Sequence, residues 1–408
     1  MSEEMIIYGL RVRQARLMRR MTAKAVMDEV GWKGARLSRL ERSETATITA
    51  AELEALARCV RFPEKFFITR PITRLEPEDL LFRAPKSTTE AEKKRMVDFI
   101  SLSGDFLTAL NDRRAMPPRR IKPDPDADPR DAAATMRSAL GVKEDEPIAR
   151  LIHSTERAGI PIVMRRERFG KNEVEENNQG RLEKHLGCST WYGEWRENPI
   201  IVLRELDSWE RTRWTVAHEL GHLMLHTATM EWSESHEDEA SRFASELLAP
   251  IKYLRKDITE PVTLLNLLPV KAKWGISVGA LLRHLRDNEV LTEDDFERLR
   301  KNLYGRFNPD TGTTWGRTEP GWNDRSPERP RLMARWVEFA CGVSSPGAAA
   351  AMYEILPADI IAEFLVGQRS APKTGPTGPG GPGSGASEKV AREPGAVADF
   401  AAYQQRRA

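Results

Sequence analysis

The chain has 408 residues, with 63 Lys and Arg against 61 Asp and Glu for a formal net charge of +2, and 40% of its residues are hydrophobic. At about 100–200 residues per domain this length predicts two to four domains. No apolar stretch approaches the roughly 20 residues of a membrane span, and Arg11, Arg13, Arg16, Arg19 and Arg20 stand where a secretory leader would need an apolar core. Cys59, Cys188 and Cys341 are scattered without a CxxC spacing. That pattern fits neither a disulfide framework nor a cysteine zinc knuckle, so the chain reads as cytoplasmic.

The basic charge is concentrated near the start. Residues 8–42 hold ten Lys and Arg against Asp28, Glu29 and Glu41, a net of +7 in 35 residues, which leaves the remainder net acidic. A basic segment at one end of a balanced chain predicts a polyanionic partner for that end; the plainer alternative is a solvated helix face. Apolar spacing predicts helices over 8–19, over 23–30 with Thr22 as N-cap, and over 35–42 after a tight turn at Gly31-Trp32-Lys33. Two helices joined by a short turn containing Gly predict a helix-turn-helix, whose second helix lies in the major groove of DNA. Lys33, Arg36, Ser38 and Arg39 are then the candidate DNA contacts. The planar fork of arginine fits guanine edges, and either cation pairs with phosphate.

Gly9-Leu10-Arg11-Val12-Arg13, Ala15-Arg16, Leu37-Ser38-Arg39-Leu40-Glu41 and Glu54-Ala55-Leu56-Ala57 resemble the Cro/repressor-type (XRE) helix-turn-helix family. The resemblance implies double-stranded DNA as a partner. A homodimer would set half-sites about one helical turn apart. The chain departs from the family at Ala23-Lys24, where the first helix of the motif usually carries Gln.

Four stretches punctuate the chain beyond residue 70. Residues 71–85 form a Pro- and acid-containing connector, and 116–130 hold five prolines in fifteen residues, the composition of a stiff linker. Residues 308–330 are rich in Gly, Pro, Thr and Trp, and 371–387 contain six Gly and four Pro without a collagen period. Between them, helices are predicted over 90–111, over 131–140 after a capping Asp and before Gly141, and over 210–226, 238–248 and 278–288. The β-branched runs 160–164 and 199–203 predict strands. The expected organisation is an all-α helix-turn-helix domain (1–70), a helical connector with a Pro-rich linker (71–129), an α+β domain (130–290), a helical C-terminal extension (291–370) and a disordered tail (371–408).

His218-Glu219-Leu220-Gly221-His222 is an HExxH inside the 210–226 helix. Residues four apart share a helix face, so both imidazoles can address one ion. Two histidines and a carboxylate suit Zn²⁺ and leave a fourth position for water, beside which Glu219 can act as general base. The next helix supplies the third carboxylate. Glu239 is the first choice because Phe243, four residues on, can pack into the core; Glu237, Asp238 and Glu234 are alternatives. His236 is a weaker candidate, and His226 lies about 12 Å from His218 along the helix, so it reads as a supporting or core histidine.

The stretches 198–203, 211–226 and 239–250, with 274–285, resemble the ImmA/IrrE metallopeptidase family over about residues 130–290, and 321–330 resembles the continuation in members fused to an XRE module. The resemblance implies a zincin-like fold, His218, His222 and Glu239 as zinc ligands, and Glu219 as catalytic base. Ser241 replaces the usual Asn. It also implies that the chain regulates transcription by cleaving a repressor protein. Tyr192 and His185 are the candidates for stabilising the oxyanion. A zinc domain serving as sensor or scaffold in a regulator, or in a toxin–antitoxin or phage-immunity pair, is the alternative.

Overall fold

The computed structural model describes residues 3–80, 90–165, 187–206, 208–226 and 233–368. The expected tail, 371–408, lies outside the described residues, as does His185. The N-terminal part begins with strand β1 (Glu4–Tyr8), then α1 (Gly9–Met18), α2 (Ala23–Val30), α3 (Arg36–Arg42), β2 (Thr45–Thr49), α4 (Ala50–Val60) and α5 (Glu64–Ile68). Thr22 caps α2 by accepting from the Ala25 N–H, and Gly31 ends it with φ 78°, a left-handed turn that costs glycine little. The sequence reading missed β1 and β2, which pair antiparallel from Glu4–Thr49 to Tyr8–Thr45. Each is only five residues long, and β2 alternates Thr outward with buried Ile48, a short period-2 signal.

A long helix, α6 (Glu90–Arg113), leads to α7 (Pro129–Leu140) and α8 (Leu151–Arg157), then to strands β3 (Ile162–Arg165), β4 (Gly187–Tyr192) and β5 (Asn198–Arg204). Asp128 caps α7 and Gly141 closes it. Central β5 runs parallel to β3 and antiparallel to β4, which forms an edge. Helices α9 (Trp209–Leu225), α10 (Glu234–Leu248), α11 (Ile251–Leu254), α12 (Leu267–Trp274), α13 (Val278–Asp287) and α14 (Glu293–Gly305) come next. The two-residue strands β6 (Phe307–Asn308) and β7 (Thr313–Thr314) precede α15 (Leu332–Cys341), α16 (Pro346–Tyr353) and α17 (Ala358–Phe364).

The small sheet is buried on both faces, because successive residues of a strand point to opposite sides. Ile162, Met164, Ile201 and Leu203 join the core built by α7–α10 and α12–α14. Val163, Cys188, Tyr192, Ile200 and Val202 join a second core shared by the N-terminal helices, α6 and α15–α17. Neither core is confined to one of the expected segments, and the described residues belong to one compact unit.

Ionic contacts tie the segments together. Arg11 of α1 and Asp105 of α6 pair at 2.8 Å with side chains 2% and 1% exposed, and Asp105 also accepts from the Thr73 N–H. The connector 308–330 places two carboxylates on distant helix N-termini, where backbone N–H groups lack internal partners. Glu328 accepts from the N–H groups of Ile152 and His153 at the start of α8, and Glu319 from those of Val278 and Gly279 at the start of α13. Glu156 of α8 in turn accepts from Arg331 and Leu332 at the start of α15. Among the described residues, no helix is long and apolar enough to cross a membrane.

Candidate metal centre

Helix α9 is capped by Ser208 and carries the HExxH in its C-terminal half. One turn separates His218 from His222, and their Nε2 atoms lie 3.1 Å apart. Gly221 faces α10 between them. A Cβ there would sit 3.0 Å from the Cα of Ala240 and from Cδ1 of Phe243, so a side chain at this position would press α10 outward by a few tenths of an ångström.

That crossing point selects the carboxylate. Glu237 lies one turn before Ala240, and its carboxylate oxygens are 3.4 Å from Nε2 of His218 and 3.8 Å from Nε2 of His222. These three side chains form the one group of metal-competent ligand atoms among the described residues. Glu239, the first choice from sequence, is turned about 200° round the helix from Glu237 at 100° per residue. Its Oε2 meets Nε2 of His226 at 3.0 Å instead. The carboxylate beside the imidazole pair is therefore Glu237, one of the alternatives, and the placement of Glu239 was not legible from its spacing to Phe243. Asp238 and Glu234 are exposed.

The outer nitrogen of each histidine is also met. Ser241 Oγ lies 3.5 Å from Nδ1 of His218, and Nδ1 of His226 lies 2.9 Å from Nδ1 of His222. Burial holds His222 well below its ordinary pKa, so it is neutral and can donate a lone pair. Two imidazoles and a carboxylate converging in this way fit Zn²⁺.

Glu219 is 4% exposed and sits on the sheet side of α9. Ser189 of β4 donates to its Oε2 at 2.8 Å, and a Cβ at Gly187 would lie 3.0 Å from its Cγ and Oε1. Burial pushes the carboxyl up to about 7, against the lowering effects of His218 and of the Ser189 hydrogen bond. The sequence reading missed β4 and with it Ser189; the run Ser189-Thr190-Trp191-Tyr192 before the Gly193 turn was the available signal. Tyr192 itself lies on the opposite sheet face, buried against Gly104 of α6, and does not reach the centre.

Much of the basic run near the start is absorbed internally. Arg11 pairs with Asp105, Arg16 with Glu41 at 2.5 Å, Arg19 with Asp359 and Arg36 with Glu52. Arg36 also lies over the Trp32 ring at 5.3 Å. Ser38 is half-buried, while Lys33 and Arg39 face solvent on and just before α3.

The family model of the IrrE N-terminal-like domain, Peptidase_M78, matches residues 178–286, which span β4 to α13 and hold the whole centre. This match supports a metallopeptidase of the ImmA/IrrE type over that region and does not extend to the N-terminal helices. No curated protein matches the chain.

Proposed function

We propose that the chain is a zinc-dependent endopeptidase joined to a DNA-binding module, and that it regulates transcription in the cytoplasm by cleaving a repressor protein. The observation that carries this reading is the convergence of His218, His222 and Glu237 beside a buried Glu219 held by Ser189. The three side chains would hold zinc. When bound there, zinc supplies a Lewis acid for the scissile carbonyl and makes a neighbouring water acidic. Glu219 would accept the proton of the attacking water and pass it to the departing amine. The Ser189 hydroxyl fixes one carboxylate oxygen, and the absence of a side chain at Gly187 leaves room for the other.

The N-terminal part supports the DNA reading through the pair α2 and α3 and the solvent-facing Lys33 and Arg39, with Ser38 between. Arg36 would have to exchange Glu52 for a base or phosphate. Incubation of the zinc-loaded protein with XRE-type repressors encoded nearby should give a single cut that Glu219→Gln abolishes. Regulation that persists in cells carrying Glu219→Gln would instead favour the scaffold.

A further inference from the structure

Beyond the three candidate ligands, α9 and α10 hold a second line of polar contacts running away from the metal position. Nε2 of His222 faces His218 and Glu237, while its Nδ1 lies 2.9 Å from Nδ1 of His226. Nε2 of His226 lies 3.0 Å from Oε2 of Glu239. His226 is the C-cap residue of α9 and is 2% exposed, while the Glu239 side chain at the outer end is 33% exposed.

The two ends of this line dictate its protons. If Nε2 of neutral His222 gives its lone pair to a metal, Nδ1 must carry the hydrogen and donate it to Nδ1 of His226. Neutral His226 then carries its own hydrogen on Nε2 and donates it to Glu239, which as a carboxylate can only accept. Every donor finds an acceptor in one direction, from His222 outward, and the opposite direction fails at both ends. A carboxylate orienting a metal-bound histidine is a general device that fixes the ring and its tautomer. Here an extra imidazole stands between them.

We propose that Glu239 and His226 are positioning residues for the metal centre: Glu239 orients His226, and His226 holds His222 in the tautomer and ring orientation that a zinc ligand needs. This rests on the zinc-peptidase reading above. It gives Glu239 a function although it does not touch the ligand cluster. It also explains why a histidine stands one turn beyond the HExxH: from there a ring reaches the outer nitrogen of His222 and not the ion.

The test is zinc affinity measured by competition with a chromophoric chelator on the full-length protein, with the absorption spectrum of the Co²⁺ form as a second readout. Loss of an outer support of this kind weakens metal binding by about 10–100-fold. His226→Leu and Glu239→Ala should each fall in that range and perturb the Co²⁺ spectrum. The double variant should bind no more weakly than His226→Leu alone, because Glu239 acts through His226. His226→Gln, whose amide can accept from His222 and donate to Glu239, should recover part of the loss. Melting of the zinc-free proteins identifies any variant that merely unfolds, and the His226→Gln comparison then carries the test. Wild-type zinc affinity in both single variants overturns the proposal. So does a strictly additive double variant, or loss of zinc in Glu239→Ala with full retention in His226→Leu, which would make Glu239 a ligand. A wild-type protein that takes up no zinc would instead remove the zinc-peptidase reading itself.

Discussion

The helix pairs α9/α10 and α2/α3 both carry candidate functional side chains, and they are built in opposite ways. At the metal centre every such group is held by another part of the protein: His218 by Ser241, His222 by His226, Glu219 by Ser189. Around α3 the proposed DNA contacts Lys33 and Arg39 face solvent, while Arg11, Arg16 and Arg19 of the same basic run pair with carboxylates of the fold. Chemistry on a small ion needs rigid convergence of atoms, which burial and cross-bracing provide. Contact with a polyanion needs exposed charge, which Lys33 and Arg39 present. The same residue type, arginine, is thus buried in an ion pair at position 11 and open to solvent at position 39.

Substitutions can break or sharpen this contrast. Glu219→Gln should produce the largest change, a fall in cleavage by at least the 10²–10⁴-fold typical of a general base. Metal analysis should still find about one zinc per chain, since Glu219 lies outside the ligand cluster; loss of zinc would merge base and ligand into one role. Arg11→Met should destabilise the fold by about 3–5 kcal/mol in denaturant unfolding, because it leaves Asp105 buried without its partner. Arg39→Ala should do the reverse, leaving stability within about 0.5 kcal/mol while costing about 1–3 kcal/mol of DNA binding in titrations of the chain's own promoter. An Arg39→Ala variant with intact DNA binding would remove α3 from recognition.

Gly221→Ala should cost about 1–3 kcal/mol, as overpacking does, and weaken zinc uptake, because α10 must retreat from the Ala240 contact and carry Glu237 with it. A neutral outcome would show that the helix crossing does not set the ligand. A further expectation is a pH dependence at Glu156, whose carboxyl is pushed by burial from 4.5 to about 8 in the folded protein. Between those values the unfolded chain releases a proton that the folded chain keeps, so stability falls as pH rises and levels off above about 8. Glu156→Gln retains an acceptor for Arg331 and Leu332 and should flatten that slope in melts across the range.

The sequence was informative where function follows from spacing along one helix. His218 and His222 are four residues apart, and that alone stacks them. It was uninformative where function depends on how two helices cross, because the close approach of Gly221 and Ala240 cannot be read from either helix separately. Glu237 and Glu239 look equivalent until that contact is known. The short strands β1, β2 and β4 went unread for a related reason: five or six residues give too few alternations to stand out. Charge was misleading in a different way, since a basic run does not disclose that Arg11, Arg16 and Arg19 face carboxylates up to 340 positions away. The boundaries of composition also failed to mark boundaries of packing. The Gly/Pro-rich 308–330 stretch lacks helical period, yet it supplies Glu319 and Glu328.

Those two carboxylates set an order of events during synthesis. The HExxH leaves the ribosome roughly 140 residues before α17, which is on the order of ten seconds at typical elongation rates. Throughout that interval the first N–H groups of α8 and α13 await Glu328 and Glu319, and one face of the small sheet awaits the side chains of α15–α17. The centre can therefore reach its final packing only once nearly the whole chain has been translated.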